Sequence, residues 1–117
     1  MNIEEFREFC LQKKGVEETF PFDENTLVFK VMGKMFALVD VDTFESINLK
    51  CEPERAIELR EHYAGIIPGF HMNKKHWNTI KMDDSVPEQL VIELINHSYE
   101  LVAGSLTKIL KAQLKQL

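Results

Sequence analysis

Apolar residues recur at helical spacing near both ends of the chain and alternate with polar ones between. Ile3, Phe6, Phe9 and Cys10 fall on one side of a helix, because residues three and four apart stack on the same face. Asn2 with Glu5 three residues on has the spacing of a capping box. Lys13, Lys14 and Gly15 then supply basic last-turn residues and a glycine stop. Beyond them the period shortens to β-rich runs at 16–22, 26–32, 34–40 and 44–50. Gly33 and Lys34 suit a two-residue hairpin with glycine first, and Asp23-Glu24-Asn25 and Val41-Asp42-Thr43 suit longer loops.

Pro53 fits the first turn of a second helix, with Ala56, Leu59 and Tyr63 on one face and a stop near Gly65. A Pro68-Gly69 turn and a loop over 70–75 lead to a further alternating run at 76–82. Ser85 and Glu88 flank Pro87 as a second capping box, opening a long helix that turns Leu90, Val91, Leu94, Ile95, Leu101 and Val102 inward until Gly104 interrupts it. The last piece sets Leu106, Ile109, Leu110, Leu114 and Leu117 against Lys108, Lys111 and Lys115. These elements predict an α+β domain, an antiparallel meander of about five strands packed on one face by the N- and C-terminal helices. Residues 1–103 form the domain, and 104–117 a C-terminal amphipathic extension of it.

A chain of 117 residues with 44% hydrophobic content and eight Phe suffices for one core. Glu4, Glu5 and Glu8 occupy the stretch where a signal peptide would be basic and then apolar. No apolar run reaches the roughly 18 residues that span a bilayer. The expectation is a cytoplasmic protein without a membrane segment, whose Cys10 and Cys51 are reduced thiols. His71 and His76, five apart, match no helical metal pair, and Cys51 reads as a small buried hydrophobe. With no G-x-S-x-G, P-loop or dinucleotide-binding fingerprint, neither an enzyme nor a small-molecule cofactor is expected.

The net charge of −5 argues against coating nucleic acid by bulk electrostatics, yet the charge is unevenly spread. Residues 1–27 carry seven acids against three bases, whereas 66–82 hold Lys74, Lys75, Lys81, His71 and His76 with no acid. Strand alternation sharpens this contrast. With Asn78, Ile80 and Met82 inward, Trp77, Thr79 and Lys81 face outward. Ile47, Leu49 and Cys51 inward leave Ser46, Asn48 and Lys50 outward, and Leu27, Phe29 and Val31 inward leave Lys30 outward. Lys34 at a hairpin tip and Lys74 and Lys75 in the adjoining loop complete a basic, amide-rich surface with one aromatic platform. Such a surface positions phosphates and stacks bases.

The runs PGFHMNKKHWNTI at 68–80, FPF at 20–22, VFKVMGKMFAL at 28–38 and NLKC at 48–51 resemble the bacterial MmcQ/YjbR family, the match covering about residues 1–103. The resemblance implies a double-wing, frataxin-like (CyaY-like) α+β fold and a DNA-binding role. It points to Lys30, Gly33, Lys34, Asn48, Lys50, Gly69, His71, Asn73, Lys74, Lys75, His76, Trp77 and Asn78. Lys34, Lys74 and Lys75 would sit on phosphate, and Asn73, Asn78 and Trp77 on bases or sugars, with Lys81 beside them. Two other readings stand beside this one. The same face or the C-terminal leucine stripe would dock a protein, the chain being a monomer or a weak homodimer through that helix. Alternatively Glu4, Glu5 and Glu8 would bind iron as frataxins do with first-helix acids.

Overall fold

The computed structural model describes residues 1–70 and 72–117. Helix α1 (Ile3–Leu11) opens on the expected box: the Asn2 carboxamide accepts the Glu5 N–H at 2.8 Å and the Glu5 carboxylate accepts the Asn2 N–H at 3.1 Å. Two donors that a helix start leaves bare are thereby paired. The helix ends before Lys13 and Lys14, so no basic residue lies in its last turn. Lys13 instead lies 4.7 Å from the centre of the Phe9 ring and bonds Asn96.

Strands β1 (Val16–Thr19), β2 (Thr26–Val31), β3 (Lys34–Asp40) and β4 (Ser46–Lys50) form an antiparallel meander. Helix α2 (Pro53–His62) then carries the chain to an edge strand, β5 (Ile66–Pro68), before β6 (Trp77–Lys81) returns between β4 and β5. The sheet therefore has six strands in the order β1-β2-β3-β4-β6-β5, a correction to the simple meander of about five. Three residues leading into a Pro-Gly pair offer no alternation from which β5 could be read.

The β2–β3 turn also differs from expectation. Met32 and Gly33 hold φ of 49° and 86°, and Val31 pairs with Lys34. Positive φ at both central residues gives the turn whose twist matches that of the strands, so Lys34 begins β3 instead of occupying the tip. Helix α2 starts where the Glu52 carboxylate accepts the N–H groups of Glu54 and Arg55 and Pro53 takes the first position. Helix α3 (Glu88–Gly104) has Pro87 at its N-cap with no side-chain cap. Ser85 does not cap it: both its N–H, at 3.1 Å, and its hydroxyl are engaged by the Asp83 carboxylate. Gly104 ends α3 as expected, and α4 (Lys108–Lys115) follows a Thr107 cap.

Helices α1, α2 and α3 bury their apolar sides on one sheet face. Phe6 and Cys10, Ala56 and Leu59, and Val91, Leu94 and Ile95 meet Phe29, Val39, Ile47, Leu49 and Ile80 there. Burial pushes the Cys10 thiol up to about 12. Between α1 and β1, Gly15 has φ of 71°, and a Cβ there would stand 2.6 Å from the Leu114 side chain of α4. The Lys14 ammonium donates to the Lys115 carbonyl at 3.3 Å, closing the same junction.

Two outcomes follow from this packing. Gly15→Ala costs about 1–2 kcal/mol in urea unfolding, chiefly through its left-handed backbone; an unchanged midpoint would contradict the junction. The second concerns His97, whose ring Nε2 accepts the Glu52 N–H at 3.2 Å, tying α3 to the start of α2. Burial, then the neighbouring Arg55, lowers its pKa below the ordinary 6.5. The unfolded chain binds that proton more readily, so this contribution is complete above 6.5 and is lost as pH falls through the lower folded value. Denaturation between pH 5 and 7, a window set by roughly the ordinary His range, should show a steeper acid loss for wild type than for His97→Gln.

Candidate functional site

The sheet face that carries no helix is built from the alternate strand positions. Register sets Asn48 against Thr79 and Lys50 against Trp77, with Leu38 beside Asn48. The outward assignment of Lys30, Ser46, Asn48, Lys50, Trp77, Thr79 and Lys81 agrees with this register. Outward, however, is not exposed. Trp77 is 8% exposed, packed with Val28 and Leu38 and covered by Met35 and Met72 in a second, smaller apolar cluster. An indole offered for base stacking is therefore corrected to an indole that seals this cluster. Val28 and Leu38 were the available signal, being apolar residues at positions whose alternation faces away from the helices.

Asn78 is corrected likewise. It is 2% exposed and accepts at 2.7 Å from the Arg60 guanidinium of α2. The same guanidinium donates to the carbonyl of Trp77 at 3.3 Å and to that of Lys74, so one side chain fastens the loop before β6. Arg60 went unread because a basic residue on an amphipathic helix looks like a solvated face. Asn73 holds its own turn: its side chain accepts the Lys75 N–H at 3.0 Å, and its carbonyl accepts from His76 and Trp77. His76 is half-buried and its carbonyl accepts the Cys51 N–H at 2.8 Å. His71 lies outside the described residues.

The lysines divide between the two ends of the face. Lys30 at the close of β2, Lys34 at the start of β3, Lys50 at the close of β4, and Lys74 and Lys75 just before β6 all come to the end where the Met32-Gly33 turn sits, but Lys34 pairs with the core residue Val31 and so points to the helix-covered side of that edge. Four strands span about 14 Å there. Among the described residues none of the five is in an ion pair, and one carboxylate, Glu17, stands opposite Lys30 from the edge strand. Lys81 is at the other end, opposite Ser46, and does not join them.

That other end is anionic. Asp23, Asp40, Asp42, Glu45, Asp83 and Asp84 lie in the loops that close it. Asp23 accepts the N–H groups of Asn25 and Thr26, which hold its carboxyl below the usual carboxylate range. Asp40 accepts the N–H groups of Asp42 and Thr43. In this second turn Phe44 takes φ of 46°, a left-handed conformation uncommon for an aromatic residue, and its ring packs 5.8 Å from that of Phe6. Between these loops runs an open groove of about 580 Å³ lined by Phe22, Leu38, Asn48, Phe70, Met72 and Thr79, with Asp23, Asp40 and Glu45 at its rim.

Among the described residues no three His, Cys, Asp or Glu side chains group as a metal site, and Glu5 is engaged in the α1 cap. Among the described residues no helix is long and apolar enough to cross a membrane.

An open six-stranded antiparallel sheet with three helices on one face and an uncovered, charge-divided opposite face defines a class of small α+β domain. The chain belongs to the YjbR family, whose model matches residues 11–101. It is 32% identical over 118 residues to the uncharacterized protein YjbR of Escherichia coli (strain K12), covering 100% of both chains. The uncharacterized protein YbdF of Escherichia coli O157:H7 is 37% identical over 103 residues, 87% of this chain and 84% of that protein. The crystal structure of Deinococcus radiodurans protein DR2400 is similar with a TM-score of 0.92 at 40% identity, over 97% of this chain and 88% of that one.

Trp77 is the single tryptophan, so its environment can be read directly. Its emission should be blue-shifted and resist acrylamide, and Trp77→Ala should cost about 3–5 kcal/mol in urea unfolding. A water-like emission maximum would refute the sealed indole.

Proposed function

We propose that the domain binds the phosphate backbone of nucleic acid, duplex DNA being the preferred form, through the lysine-bearing end of its open sheet face. The observation that carries this reading is the convergence, by strand register, of Lys30, Lys50, Lys74 and Lys75 from three separate segments, with Lys34 at the same edge on the other side of the sheet, all outside ion pairs among the described residues. Ammonium groups without protein partners release counterions when they meet phosphate, which is the main source of sequence-independent affinity. The β2–β3 hairpin lends Lys34, and the Arg60-fastened loop lends Lys74 and Lys75.

In this reading contacts stop at the backbone. With the indole covered and the Asn78 carboxamide committed to Arg60, base stacking and base-edge contacts lose their two main candidates. Binding is then weakly selective for sequence and strongly dependent on salt. The anionic opposite end orients the approach, since it repels the same polyanion.

A salt-titrated binding isotherm with a fluorescent DNA duplex tests the proposal. Lys74→Ala with Lys75→Ala should weaken binding to all sequences alike and lower the salt slope by about two phosphates' worth. Lys81→Ala, at the other end, should leave the slope unchanged. Affinity that ignores salt, or a double variant that binds as wild type does, would remove this mechanism.

A further inference from the structure

The groove at the anionic end has features that a merely solvated sheet face lacks. Its volume of about 580 Å³ is that of a site for a small ligand. Phe22 and Phe70, 63% and 66% exposed, both line it, and large exposed apolar side chains ringed by polar ones mark binding surfaces. The floor is a directed hydrogen-bond relay. The Phe70 N–H donates to Thr79 Oγ1 at 2.9 Å, and Thr79 Oγ1 gives its single proton to Asn48 Oδ1 at 2.5 Å. With the Asn48 carbonyl oxygen turned to Thr79, its NH2 group is directed away and makes no hydrogen bond among the described residues. Asn48 is half-exposed on the groove floor, so that donor meets whatever enters.

We propose that this groove binds a small, flat organic cation, an aromatic amine whose ring lies between Phe22 and Phe70 and whose ammonium group faces Asp23, Asp40 and Glu45. Charge complementarity selects the occupant: three rim carboxylates favour a cation and repel an anion. The aromatic side chains favour a planar body over a flexible polyamine, because ring stacking rewards flat surface. Asn48 adds a donor for a carbonyl oxygen or ring nitrogen of the guest. The rim carboxylates stand about 13 Å from the lysine end along β4, the Asn48 floor lies about 7 Å from Lys50, and the site does not rest on the nucleic-acid reading.

The test is an NMR titration of the full-length, nitrogen-15-labelled chain with three probes. Tryptamine carries ring and positive charge, indole-3-acetate the ring with negative charge, and spermidine positive charge without a ring. Tryptamine should saturably shift the Asn48 side-chain amide and the backbone amides of Phe70 and Thr79, while the other two leave them in place. Combining Asp23→Asn, Asp40→Asn and Glu45→Gln should weaken tryptamine binding roughly tenfold. The two Asn replacements keep the Oδ1 acceptor that each turn uses, so a folded spectrum is retained. Phe22→Ala, at an exposed position, should weaken binding as well. No saturable shift with millimolar tryptamine, equal shifts with spermidine or indole-3-acetate, or undiminished binding by the charge-removed chain would each overturn the proposal.

Discussion

The Ser98 hydroxyl, fully buried on α3, donates to the Phe36 carbonyl and accepts the Lys50 N–H at 2.9 Å. The hydroxyl thereby bridges β4 to β3 just beyond their last register pair, Ala37 with Leu49. On its other side the β2–β3 pairing skips Phe36: Phe29 faces Ala37 while Lys30 faces Met35. The extra residue is a β-bulge, and it puts Phe36 beside Ala37 in the helix-covered core, where its ring meets Tyr99 edge-on at 5.5 Å. The same irregularity turns Met35 to the open face, against Trp77. Without a buried hydroxyl to satisfy it, the Phe36 carbonyl would carry a desolvation cost of about 1–3 kcal/mol. The bulge thus shapes both faces at once, and one α3 side chain ties the same stretch of β3 to β4.

Charge on the open face is sorted by strand direction. In an antiparallel sheet the close of one strand lies beside the start of the next, so residues far apart in sequence share an end. Lys30 and Lys50 close their strands while Lys75 precedes its own, and these meet, with Lys34 at the same edge on the other face. Asp40 closes β3, Asp23 and Glu45 precede β2 and β4, and these gather opposite. A chain with a net charge of −5 can thereby carry a locally positive edge.

Much of the architecture was legible because its signals are local. The Asn2/Glu5 cap, the alternation of Ile47, Leu49 and Cys51, and the glycine end of α3 each involve few neighbouring residues. What escaped depended on distant partners. Strand β5 exists because β6 pairs with it, and the end of the β3–β4 seam is closed by Ser98 from a distant helix. Parity placed Trp77 on the right face, yet parity carries no information about the Met35 and Met72 side chains that cover it. Arg60 and Asn78 form a pair only after α2 has packed. Within the HMNKKHWNT stretch, Asn73, Trp77, Asn78 and Thr79 all have structural tasks, while Lys74 and Lys75 are exposed and in no ion pair among the described residues.

The two outermost strands are short. Strand β1 has four residues, and β5 has three, the last being Pro68, whose nitrogen has no hydrogen to offer. An incoming extended segment would find little backbone to zip onto at either border, which limits ribbon-like polymerisation and runaway stacking of copies. Any contact along these flanks is consequently left to side chains, and the borders stay poor templates although one face of the sheet carries no helix.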